Sequence, residues 1–158
     1  MQIVCFHNPD EENGYLSNWY MSSFSVSGQN FSSMEQYMMY YKATCFHDYD
    51  IADKILMTDD VAKIKKYGRM VSNYNESYWN GVRQLIVYEG LQEKFLQNEA
   101  LKRQLLDTGE SVLAECAVKD KIWGIGLSMT DSKRFDMGSW KGQNLLGYSL
   151  MMVRDRLK

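Results

Sequence analysis

The sequence predicts an α+β domain in which helices dominate. Apolar residues recur at helical spacing in the longer runs, as in Leu85, Tyr88, Leu91 and Phe95, which places them on one face of a helix. The strand-like runs are few and short: Ile3 to Phe6 (IVCF), Phe24 to Val26, and the apolar stretch Val112 to Val118 (VLAECAV). Asp, Asn and Ser stand where helices should start and Gly where they should stop.

The first 31 residues read as short strands and loops, with Gly28, Gln29 and Asn30 as a turn before Phe31. A helix follows from about Ser33 to Phe46, and a second covers Tyr49 to Met57. Asp59 or Asp60 can cap a third helix that runs to Tyr67 and ends at Gly68. The long helix spans about Ser77 to Gln97. Asn98 can cap the next, with Leu101 and Leu105 facing inward and Gly109 as its stop. Val112 to Val118 is a buried strand. The last helix starts near Asn144, where Leu146, Leu150, Val153 and Leu157 form an apolar stripe.

A length of 158 residues suits one domain, residues 1–158, and 45% hydrophobic residues suffice for a core. The net charge of -2 argues against broad electrostatic capture of nucleic acid, which needs a basic face. Cys5, Cys45 and Cys116 are odd in number and scattered, which fits reduced thiols in a cytoplasmic protein. Neither a signal peptide nor a long apolar run is present, so no membrane span is expected. His7 and His47 are the only histidines, and the cysteines lack ligand spacing. Neither a metal site nor a cofactor fingerprint is expected.

The chemistry centres on Glu35. Six of the eight positions from Met34 to Tyr41 are Met or Tyr, and Glu35 stands among them at a helix start. With Ser32 as N-cap, Glu35 closes a capping box. With Ser33 as N-cap, Gln36 closes it instead and Glu35 is released. Spacing leaves cap and catalyst equally open. Lys42 lies two turns on and can reach a phosphate or carboxylate. KKYGR, Lys65 to Arg69, is a small basic cluster suited to phosphate, with a solvated surface as its plainer fate. Trp123 sits in KIWGIG, where Gly124 and Gly126 predict a loop and let a ligand approach the backbone. Trp79 begins the long helix, and indoles from distant segments can stack on a planar base. Free amides at the start of the last helix can bind an anion, or Gly142 simply turns the chain and Asn144 caps it. Asp131 and Asp136 are candidates for a second carboxylate.

The order of motifs resembles the NADAR domain family, also called YbiA-like proteins. It runs LSNW (Leu16 to Trp19), GQNFSSMEQY (Gly28 to Tyr37), Lys42-Ala43, KKYGR and Trp79. KFLQN (Lys94 to Asn98), LLDTG (Leu105 to Gly109), WGIG (Trp123 to Gly126) and WKGQNLLG (Trp140 to Gly147) follow, so the resemblance covers nearly the whole chain. It implies a compact, mostly helical fold and hydrolysis of N-glycosidic bonds without cofactor or metal. The implied substrates are ribosylamino-pyrimidine phosphates of riboflavin biosynthesis, or ADP-ribose on guanine in nucleic acid. Glu35 matches the family's essential acid. Trp79 and Trp123 match its motif tryptophans, Lys65 and Arg69 its basic motif, and Asn144 with Gly147 its C-terminal loop; Asn18 belongs to LSNW and Gly124 to WGIG. The chain departs from many members at Gln36, Met39 and Ile125, where they carry His, Gln and Asp.

The expected function is therefore N-glycoside hydrolysis of a ribosyl phosphate or ADP-ribosyl substrate. Glu35 would be catalytic, Asp131 the second acid, and Asn18, Lys42, Lys65, Arg69, Trp79, Trp123, Gly124, Asn144 and Gly147 would bind. Two other classes stand beside it. One is a module that binds ADP-ribose or a nucleotide without cleaving it. The other is an interaction protein that docks a partner on the Met-rich helix.

Overall fold

In the computed structural model, which describes residues 1–158, parallel pairing of two distant segments organises a first unit, Met1–Tyr20 with Glu99–Lys158. Strand β1 (Ile3–Phe6) pairs with β4 (Val112–Glu115) in the register Ile3↔Val112 to Phe6↔Glu115. β4 is buried along its whole length, as expected of a parallel strand covered on both faces. It ends at Glu115, short of the expected Val118, which is 57% exposed. Helices α5 (Glu99–Asp107) and α6 (Leu145–Arg156) complete the unit. Leu101 and Leu105 face inward as expected, and Leu146, Leu150 and Val153 bury the stripe of α6. Gly109 adopts the left-handed φ of 63° that a helix stop requires.

The second unit is Met21–Asn98. Strands β2 (Met21–Val26) and β3 (Gln29–Ser33) form an antiparallel hairpin. The turn is Ser27-Gly28, both at positive φ (51° and 82°), the geometry of a tight two-residue hairpin. The expected turn at Gly28 to Asn30 is thus displaced, because Gln29 and Asn30 belong to β3. That strand escaped detection because its polar residues, apart from Phe31, give no apolar alternation.

Four helices follow: α1 (Met34–Cys45), α2 (Tyr49–Leu56), α3 (Val61–Gly68) and α4 (Glu76–Leu96). Asp60, not Asp59, caps α3, accepting from the Ala62 and Lys63 amides at 3.0 and 3.2 Å. Gly68 is the last residue of α3, and its φ is not left-handed. A Cβ there would overlap the Met39 side chain, so this glycine permits close approach of α3 to α1. Gly90 does the same in α4, where a Cβ would overlap the Tyr37 ring. Tyr37 is almost fully buried, packs against Phe24 and Phe31, and donates its hydroxyl to the Ile86 carbonyl at 2.7 Å. The inward face of α4 carries Val87, Leu91 and Phe95, whereas Leu85 is 60% exposed. The expected stripe was therefore right at its C-terminal end and wrong at Leu85. Asn98 donates to the Lys94 carbonyl at 2.7 Å and so closes the end of α4.

The fold class is α+β and mainly helical, as expected. None of its helices is long and apolar enough to cross a membrane.

Candidate active site

The start of α1 settles the competition over Glu35. Ser33 is the N-cap, and its Oγ accepts from the Gln36 amide at 3.1 Å. Gln36 reaches back to Ser32, accepting from its amide at 2.7 Å and its hydroxyl at 3.1 Å. The Gln36 Nε2 donates to the carbonyls of Ile55 and Thr58 at 3.1 and 2.9 Å. A histidine at this position could not supply that set, because the site needs one acceptor and two donors from a single head group. The capping box is therefore Ser33 with Gln36, and Glu35 lies outside it.

Glu35 is 5% exposed. Lys42, half buried on the same helix, has its ammonium pKa lowered chiefly by burial, with Glu35 acting against the shift and Arg69 adding to it. Glu35 and Arg69 thus both act on Lys42 within this unit. Lys42 Nζ lies 4.7 Å from the centroid of the Tyr74 ring. Tyr74 packs edge-on against Phe46, with centroids 5.4 Å apart. Arg69 is the exposed C-cap of α3, and Lys65 lies on the exposed side of the same helix.

Trp79 is only 6% exposed, so it packs the helix and has no open face. Met34, Met38 and Met39 are likewise buried, at 0%, 6% and 8% exposure. That removes the docking role expected of a Met-rich surface. A groove of this unit, about 550 Å³, is lined by Ser25, Asn30, Ser32, Gln36, Asp59 and Gln97 among others and does not include Glu35. We set it aside as a reaction site, because its amides and hydroxyls are largely bonded to one another.

In the other unit, Trp123 is half buried on a loop, as expected. Asp120 shapes that loop, its Oδ1 accepting from the Ile122 and Trp123 amides at 3.0 and 2.8 Å. A Cβ on Gly124 would press on the carbonyls of Asp120 and Glu115 at 2.9 Å, so this glycine closes the loop on itself. The amides of Asn144, Leu145 and Leu146 donate to the carbonyls of Gly124, Ile122 and Trp123 at 3.0, 3.1 and 3.1 Å. Three of the amides at the start of α6 are therefore taken up by the loop rather than left for an anion. Asn144 is fully buried at φ 54° and makes no side-chain cap. Its amide bridges β4, accepting from Glu115 N at 3.1 Å and donating to the Leu113 carbonyl at 2.8 Å. A Cβ on Gly147 would overlap the Leu113 carbonyl. Both residues thus have framework contacts, where the sequence expectation was substrate binding.

Asp131 is half exposed, and its Oδ1 caps a short 3-10 helix (Ser132–Phe135) through the Lys133 amide at 2.9 Å. Asn18 is 8% exposed, and its Oδ1 is buried without a hydrogen-bond partner, an acceptor still open to a donor.

Two features escaped the sequence. Tyr74 was hidden in the polar stretch SNYNESYW. The other is Glu115, 8% exposed, whose Oε1 lies 3.1 Å from His7 Nδ1 and whose Oε2 has no partner. Burial pushes its carboxyl up to about 7, opposed by His7. The hydrogen bond to Glu115 in turn raises the imidazole above its usual range. A carboxylate inside the apolar run VLAECAV was the available signal.

The model of the NADAR domain matches residues 5–158. N-glycosidase R617 of Acanthamoeba polyphaga mimivirus is 38% identical over 98% of this chain and 95% of its own length. Riboflavin biosynthesis protein VVA0006 of Vibrio vulnificus is 36% identical over 99% of this chain, which spans 39% of that longer protein. N-glycosidase YbiA of Escherichia coli is 28% identical over 98% of this chain and 88% of its own. The NMR structure of E. coli YbiA superposes with a TM-score of 0.81 over 99% of this chain and 84% of that one.

Proposed function

This chain belongs to the NADAR domain family, and we propose that it is an N-glycoside hydrolase. The observation that carries the mechanism is Glu35: buried, outside the capping box of its helix, and acting on Lys42. Cleavage of an N-glycosidic bond builds positive charge at the anomeric carbon. Anionic Glu35 stabilises that charge and takes the proton of the attacking water. Lys42 and Arg69, with Lys65 further along α3, hold the phosphate. The family motifs WGIG and LSNW assign Trp123, Gly124 and Asn18 to substrate binding.

The substrate class is a ribosyl phosphate or ADP-ribosyl group joined to a nitrogenous base, either a ribosylamino-pyrimidine phosphate or ADP-ribosylated guanine in nucleic acid. The names of VVA0006 and R617 support hydrolysis of a small ribosyl compound. We take residues 1–158 as one domain, since the family model spans almost all of them, and place it in the cytoplasm on its free cysteines. The test is incubation with each candidate substrate and chromatography of the products. Release of free base with a ribosyl product supports hydrolysis. Tight binding with no release on long incubation supports the nucleotide-binding module instead.

A further inference from the structure

The Tyr74 ring is 44% exposed and carries the Lys42 ammonium at 4.7 Å from its centroid. Phe46 fixes the ring at its edge, with planes 70° apart. Phe46 is itself 7% exposed and is the C-cap residue of α1. Tyr74 is thus anchored to the end of the helix that bears Glu35 and Lys42.

A lysine has four rotatable bonds and a strongly hydrated head, so its ordinary place is in water. Burial, with Arg69 adding to it and Glu35 acting against it, disfavours the ammonium in its half-buried place and would drive it out. The negative face of the Tyr74 ring opposes this. We infer that Tyr74 is a positioning residue, which holds the Lys42 ammonium on its ring face so that both cations meet the phosphate of the substrate. This rests on the proposed assignment of Lys42 and Arg69 to phosphate. Two cations against the single charge of Glu35 leave a positive excess, which an incoming phosphate neutralises. The ring face does the holding, so the Tyr74 hydroxyl is dispensable.

The test uses Tyr74→Leu and Tyr74→Phe, with inorganic phosphate as the probe of binding and two N-ribosides, one 5′-phosphorylated and one not, as substrates. Tyr74→Leu should weaken phosphate binding in calorimetry by about tenfold, the scale of one partly desolvated cation–π contact. It should raise KM for the phosphorylated riboside by a similar factor, with kcat within about threefold. The unphosphorylated riboside should be unaffected, and Tyr74→Phe should restore wild-type behaviour throughout. Equal phosphate binding by wild type and Tyr74→Leu overturns the inference, as does an equal loss on both ribosides or a Phe variant as poor as Leu. Calorimetry needs no turnover, so a wild type inert on N-ribosides defeats the proposed activity while phosphate binding still decides the role of Tyr74.

Discussion

The Ser33 hydroxyl accepts the Gln36 amide at 3.1 Å, and Gln36 returns to the amide of Ser32 at 2.7 Å. Glu35 stands between these partners and joins neither bond. Removing the cap should therefore cost stability without touching the chemistry. Ser33→Ala should lose about 1 kcal/mol, and Gln36→Ala, which strands several buried groups, roughly 2 to 3 kcal/mol. Urea unfolding midpoints measure both. An equal stability loss in Glu35→Gln would return Glu35 to the cap.

Gly90 and Gly81 lie on the same helix and should respond oppositely to alanine. At Gly90 the added methyl meets the Tyr37 ring, which its bond to Ile86 holds in place. Gly90→Ala should destabilise by about 1 to 3 kcal/mol. Gly81 is exposed with open space around it, so Gly81→Ala should stabilise by up to about 1 kcal/mol. Thermal melts of the two variants test the packing of α1 on α4.

Glu115 makes stability depend on pH. Its folded carboxyl titrates at about 7 against an ordinary 4.5, so the folded state holds the proton more tightly than the unfolded one. Its contribution is full below about 4.5 and is lost as pH rises through 7, a change of roughly 3 kcal/mol at most. His7, also raised, contributes below its ordinary value of 6.5 and loses that contribution as pH climbs further. Both effects point the same way. Glu115→Gln should flatten the fall in melting temperature between pH 5 and pH 8, measured by calorimetry across that range. An unchanged slope would remove Glu115 as its source.

Asp131 is a cap in the structure and a second acid in expectation. Asparagine caps as well as aspartate but cannot supply a proton. Asp131→Asn should keep kcat/KM within a few fold. A loss of ~10² or more would reinstate it as the acid.

Much of the fold was legible, because helix periodicity and Asp or Gly punctuation are local signals. Asp60, Leu101, Leu105 and Gly109 announce themselves that way. Strand β3 was not legible, since its pairing with β2 compensates for a polar sequence. Gly68 and Gly147 look like a stop and a loop in one dimension, and only packing shows that each admits a neighbouring element. In the site, Glu35 was visible as a carboxylate in apolar company with a spare capping frame beside it. The bridge from Asn144 to β4 was not legible, because it joins residues about 30 positions apart. Tyr74 was silent because its partner, Lys42, lies 32 positions away.

The most direct test is the kcat/KM of Glu35→Gln on an N-ribosyl phosphate, measured against wild type from pH 5 to pH 9. Catalysis by Glu35 predicts a loss of ~10² or more, with the melting temperature unchanged. A general-base role predicts wild-type activity that falls as pH drops; a fall with rising pH would make Glu35 the general acid instead. Near-normal hydrolysis by Glu35→Gln would contradict any catalytic role for this residue.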